Sequence, residues 1–323
     1  MDFPKPDHAD ATTNVAAPND KEKRKRSTKN LALRAVSALG ALSLIYFCLR
    51  WDVVNQSGLA WAGLIAFSAI PCLREFYRLA IACGIKPFTW MGYIAGPLYV
   101  VCQELDLSGI SGRWLPVPGA WLILIAACVG TMLLQLTRKT NDDALTSVAM
   151  TLWGIGYCAV LPGLGIHLRH LQLSPGGWPL QGMEFVVVCI FIAKVSDVGA
   201  LLTGSRWGKH KLIPRLSPGK TWEGALGGLI FSIMLLQFMV LTNPDMALAQ
   251  LGTPLLLLLS FLLAAGGLAG DLIESAFKRN SRLKDAGTGV PGFGGMLDLM
   301  DSLMVATPVM YFFLLLCGAK YTA

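Results

Sequence analysis

Long apolar runs separated by short polar stretches repeat along almost the whole chain. A helix rising about 1.5 Å per residue needs about 20 mostly apolar residues to cross a bilayer. Nine segments fit that length, at roughly 31–49, 57–73, 89–103, 119–137, 145–165, 182–203, 224–241, 253–274 and 300–318, the second and third being short with soft edges. The pattern predicts an all-α fold, a polytopic membrane helical bundle of about nine transmembrane helices. No tandem repeat at fixed spacing is visible, which argues against a solenoid. Residues 1–30 are polar, carry KEKRKR at 21–26 and lack core periodicity, so they read as a disordered basic tail. A cleavable leader does not fit, because the basic run leads into a full-length apolar segment with no small-residue cleavage site. The remainder divides into N-terminal membrane helices over 31–145 and a C-terminal region over 146–323, where the polar chemistry concentrates and catalysis is expected.

Composition agrees with the pattern. At 54% hydrophobic and 15% charged residues, with a mean hydropathy of +0.55, a chain of 323 residues has too few polar side chains to cover a soluble globule. The net charge of +7 is dispersed among apolar segments and builds no groove-lining module, so anionic lipid and not nucleic acid is the expected counter-charge. With the tail inside, 22 of the 27 Lys and Arg fall in the tail, its flank and the loops 74–88, 138–144, 204–223 and 275–299. The positive-inside rule then predicts a multi-pass protein of the cell (inner) membrane, with the amino terminus and these loops cytoplasmic and the carboxyl terminus outside. The eight cysteines stand singly, without a CxxC pair, and read as small buried hydrophobes.

Candidate chemistry lies in the second half. Asp271 and Glu274 are three apart and Lys278 follows by four, so they share a helical face. Asp298 and Asp301 are again three apart, at the amino end of the last apolar run, where the helix dipole favours anions. Each set alone has a plain account, as a helix-end ion pair or as aspartate capping. Taken together, acids converging from two helices repel one another unless a cation neutralises them. Asp271, Asp298 and Asp301 are therefore the candidate ligands of a magnesium ion, with Lys278, Arg279 and Lys284 placed to offset phosphate charge. Between them Gly287, Gly289, Gly292, Gly294 and Gly295, with Pro291, read as a phosphate-cradling loop, a flexible linker being the alternative.

The loop GSRWGKHKLIPRLSPGKTWEGALGG contains no Walker motif, because GSRWGK is one residue short and SPGKT has Pro214 where glycine is required. Lys209, Lys211, Arg215 and Lys220 beside Ser217 and Thr221 suit polyphosphate, although a basic loop also serves topology alone. Lys194 and Asp197, three apart in an apolar run, are either an ion pair or a substrate contact near the inner surface. His167 and His170 are expected at the outer face and His210 at the inner one, so they form no metal set.

These residues resemble the phosphatidate cytidylyltransferases, also called CDP-diacylglycerol synthases. The family signature is matched at Ser275, Phe277, Lys278, Arg279, Lys284, Asp285, Gly287, Gly294, Gly295, Met296, Asp298, Met300 and Asp301. Upstream, the stretch from Asp197 through Gly204, Gly208, Lys209, Leu212, Ser217, Pro218, Lys220, Thr221, Glu223 and Gly224 is similar to the family's loop, as is GDLIES at 270–275. The likeness covers about residues 150–318, while 1–145 match only in being hydrophobic. Two positions depart from the signature: Phe293 stands for the usual histidine and Leu299 for the usual arginine.

The resemblance implies transfer of cytidylyl from CTP to phosphatidate, giving CDP-diacylglycerol and diphosphate, with Mg2+ and as a homodimer. It implies catalytic roles for Asp271, Asp298, Asp301, Lys278 and Arg279. It implies substrate binding by Asp197, Lys209, Ser217, Lys220, Thr221, Glu223, Lys284, Asp285, Gly294 and Gly295. The alternatives are a CTP-dependent enzyme acting on another lipid phosphate or a polyprenol, and a membrane transporter. A transporter places its acids near the midplane on broken helices, whereas these acids are expected at the inner edge beside glycine-rich basic loops.

Overall fold

The computed structural model describes residues 40–55, 57–111, 116–139, 143–173, 181–283 and 294–321, and within them the chain is a helical bundle. Its helices are α1 (40–55), α2 (Leu59–Ala82), α3 (Thr89–Leu107), α4 (Gly119–Leu136), α5 (Ala144–Ile155), α6 (Leu161–Arg169), α7 (Gln181–Trp207), α8 (Trp222–Thr242), α9 (Gly252–Asn280) and α10 (Met296–Leu316). A π-helical turn at Gly156–Val160 joins α5 to α6 into one rod, so the described residues form nine rods, one for each predicted span. Seven of them are long and apolar enough to cross a membrane. The protein is a multi-pass membrane protein.

The rods are apolar nearly all round, as expected when one face packs and the other meets lipid. Inward, Phe185, Ile192, Leu236, Leu259, Leu263, Met310 and Leu314 belong to one buried core. Outward, α4 shows Trp121, Ile125, Leu133 and Leu136, and α8 shows Leu226, Ile230, Phe238 and Leu241. Helix α7 lies along α8, and α9 along α10. Close approach comes from glycine, as is usual between membrane helices. A Cβ on Gly270 of α9 would stand 2.2 Å from the Asp301 carbonyl oxygen of α10, so only hydrogen fits there.

Two departures from the predicted elements bear on the site. The second span was expected to end at residue 73, yet α2 continues through Arg74 to Ala82, because Glu75, Phe76, Tyr77, Leu79 and Ala80 are buried against the rest of the bundle. The 204–223 loop contains an antiparallel hairpin of β2 (Lys211–Ile213) and β3 (Ser217–Thr221), with Lys211 opposite Thr221 and Ile213 opposite Ser217. At the other end β1 (Leu171–Gln172) pairs antiparallel with β4 (Lys320–Tyr321). The predicted basic loops do gather at one end. There Arg279 Nε donates to the Leu216 carbonyl at 3.2 Å, Asn280 Nδ2 reaches Cys83 Sγ at 3.3 Å and Arg138 donates to the Lys86 carbonyl at 2.7 Å.

A candidate active site at one end of the bundle

The contact at Gly270 sets the site. It brings the Asp271 and Asp301 carboxyl groups of neighbouring helices within hydrogen-bonding reach of each other, with Asp301 almost fully buried. The Ser302 N–H donates to Asp301 Oδ1 at 2.5 Å, and Lys220 of β3 donates to Asp271 Oδ2 at 2.8 Å. The third predicted ligand is held separately. Asp298 pairs with Lys278, whose ammonium also lies 2.8 Å from Glu274 Oε1, and Asp298 Oδ2 accepts the Gly295 N–H at 3.1 Å. Among the described residues no three His, Cys, Asp or Glu side chains converge on a point that would hold a metal ion as they stand.

A residue of the first half, absent from the sequence reading, aims α10. Glu75 of α2 accepts the Met296 N–H at 3.0 Å through Oε1 and the Leu297 N–H at 2.8 Å through Oε2. A carboxylate there satisfies two of the free donors of the helix start and its positive dipole end. Gly295 must be glycine for this, since a Cβ would meet Glu75 Oε2 at 2.3 Å, and Gly294 sits at φ +96°, a left-handed turn into the helix. Phe277 locks the same joint, its ring 5.9 Å from Phe76 and 5.6 Å from Tyr157 on the π-turn. The signal that could have revealed Glu75 is a charged cluster, Arg74, Glu75 and Arg78, set directly against an apolar run.

The hairpin between α7 and α8 is built by two residues predicted to bind substrate. Thr221 Oγ1 caps α8 by accepting the Gly224 N–H at 3.1 Å. Glu223 accepts the Lys209 N–H at 3.1 Å and the His210 N–H at 3.2 Å, and meets His210 Nδ1 at 2.6 Å. These bonds hold the hairpin so that Ser217 and Lys220 face inward, while Lys209 is exposed. Arg279 reaches the hairpin through its bond to Leu216. Lys284, Asp285 and Phe293 lie outside the described residues, as do Gly287, Gly289, Pro291 and Gly292.

Between α7, α8, α9 and β3 lies a cavity of about 540 Å³. Asp197, Ser217, Lys220, Thr221 and Asp271 form its polar lining, and Leu201, Leu226, Leu229, Phe261 and Leu268 its apolar lining. Leu201, Leu226 and Phe261 are each more than half exposed, so the apolar part lies open on the lipid-facing side of the helices. The cavity therefore runs from a polar end to an apolar one.

The cytidylyltransferase family model matches residues 32–317. This chain belongs to the cytidylyltransferase family. The family match includes the N-terminal helices, which corrects the expectation that the likeness is confined to about 150–318; α2 supplies Glu75 and Phe76 to the joint, so it shares the constraint. A Staphylococcus epidermidis protein named phosphatidate cytidylyltransferase is 38% identical over 280 residues, 87% of this chain and 97% of that protein. The Escherichia coli K12 protein YnbB, itself uncharacterized, is 36% identical over 265 residues, 81% of this chain and 82% of that one. The chain spans 60% of the length of the Staphylococcus saprophyticus phosphatidate cytidylyltransferase, at 39% identity, and 52% of that of the Haemophilus influenzae one, at 37%.

Proposed function

We propose that this cytidylyltransferase-family chain moves the cytidylyl group of CTP onto phosphatidate, giving CDP-diacylglycerol and diphosphate. The observation that carries the reading is the cavity that joins Asp271 and Lys220 to an apolar wall open toward lipid. Relatives named phosphatidate cytidylyltransferase support the same substrates. In the reaction a lipid phosphate oxygen attacks the α-phosphorus of CTP, the α–β phosphoanhydride bond breaks, and diphosphate leaves with the electron pair. A phosphate monoester is largely ionised near neutral pH, so the chain need not supply a general base. Its residues bind and orient: Lys220 and Ser217 on the hairpin toward phosphate, and Asp197 on the cavity wall.

Two carboxyl groups in mutual contact, one of them buried, call for a proton or a cation between them, so the residues present fit a divalent ion. Asp271 and Asp301 would hold Mg2+, and Asp298 would join them on exchanging Lys278 for the ion. Bound magnesium would neutralise charge on the transferring phosphoryl and the departing diphosphate. The bias of Lys and Arg supports placing the hairpin end on the cytoplasmic side of a bacterial inner membrane. A homodimer is carried by the family resemblance alone, and cross-linking in native membranes tests it.

Purified protein incubated with labelled CTP, phosphatidate and magnesium should yield CDP-diacylglycerol. Product formed only from a different lipid phosphate or a polyprenol would move the reading to that acceptor. Ion flux without CTP consumption would replace it with transport.

A further inference from the structure

Lys194 is a cation on the largely apolar helix α7, where an unneutralised charge is costly. Its ammonium reaches across to α10, donating to the Leu299 carbonyl at 2.8 Å and to Ser302 Oγ at 2.7 Å, and lies 3.8 Å from Asp197 Oδ2. The carboxylates of Asp197, Asp271 and Asp301 all feel its charge. The other cation among them, Lys220, lines the cavity and would be drawn to substrate phosphate. Lys194 does not line the cavity, and its bonds to Leu299 and Ser302 hold its ammonium against α10 beside Asp301. Residue 299, between Asp298 and Asp301, is leucine, so α10 brings no cation of its own to that turn.

We propose that Lys194 is the resident counter-ion of Asp197, Asp271 and Asp301, a positioning residue that keeps the three acids assembled while leaving the cavity clear for substrate. The inference rests on reading these acids as the phosphate-handling site, and its test works whether or not magnesium binds there. Lys194→Gln keeps a hydrogen-bond donor and removes the charge; Lys194→Arg keeps the charge.

The full-length protein is purified in detergent and melted in EDTA. Lys194→Gln should lower the melting temperature by about 5 °C, the scale expected when a buried carboxylate loses its partner. Lys194→Arg should melt like the parent. In an Asp301→Asn background Lys194→Gln should cost less, because one of the three acids it balances is gone. An equal loss in both backgrounds, or Lys194→Arg behaving like Lys194→Gln, would make Lys194 a packing strut and overturn the proposal. If Lys194→Gln alone fails to fold, recovery of folding in the double variant supports the proposal and failure of both refutes it. Excess Mg2+ should also restore Lys194→Gln. Rescue by Asp301→Asn without rescue by Mg2+ would uphold Lys194 as counter-ion and count against the magnesium assignment.

Discussion

The two ends of the bundle balance buried charge to different degrees. At the β1–β4 end, acids meet cations or donors: Glu104 is bound by Arg169 at 3.1 Å and by His170 at 3.1 Å, and Asp52 accepts the Ala60 and Trp61 N–H groups at 3.0 and 2.8 Å. At the hairpin end, acids outnumber their cations: Lys194, Lys220 and Lys278 serve Asp197, Asp271, Glu274, Asp298 and Asp301, and Asp271 faces Asp301. The first arrangement closes a helix end. The second leaves an excess of negative charge beside a cavity, which is of use only if something cationic arrives or is already held there.

Mutations can break that contrast. The largest effect is expected from Asp301→Asn, which should cut magnesium-dependent turnover by at least about 100-fold while the melting temperature holds or rises, because a repulsion is removed. Unchanged turnover in the CTP assay would take Asp301 out of the reaction. Glu104→Gln should do the reverse, costing about 3 kcal/mol of stability by leaving Arg169 without its counter-ion. Turnover per folded molecule should stay near that of the parent, as thermal melts paired with activity assays would reveal. Between these, Glu75→Ala should cost about 1–2 kcal/mol through the lost cap and lower turnover by roughly tenfold, since α10 would no longer be aimed. Full activity in that variant would confine Glu75 to stability. The smallest effect belongs to Tyr321→Phe, which removes contacts to His167 Nδ1 at 2.8 Å and to the Tyr311 hydroxyl at 2.6 Å. Burial, and then the Tyr311 hydroxyl, push the Tyr321 phenol up, so it stays a donor in alkaline solution. Its loss should lower stability by about 1 kcal/mol with no change in turnover.

Much of this was legible in the residues. The apolar runs gave the rods, and the three-residue spacing of Asp271 with Glu274 and of Asp298 with Asp301 placed each pair on one face. The spacing could not tell which acids of the two helices would meet. Asp271 meets Asp301 because the helices touch at Gly270, whereas Asp298, one turn earlier, falls to Lys278. Glu75 was hidden for a different reason. A cap in which Glu75 of α2 accepts the N–H of Leu297, 222 residues away, leaves no local pattern, and charge at Arg74 and Glu75 ends an apolar run although the helix continues. The β2–β3 hairpin was missed because Lys211–Ile213 is too short to alternate.

The backbone contact at Gly270 has a mechanical consequence. Where two rods touch with no side chain between them, there is no compliant layer to absorb a change of tilt. If bilayer thickness or temperature shifts α9 against α10, the motion must turn about that point as about a fulcrum. The far ends of the rods would swing most, and the Asp271–Asp301 spacing, seated on the pivot, would change least.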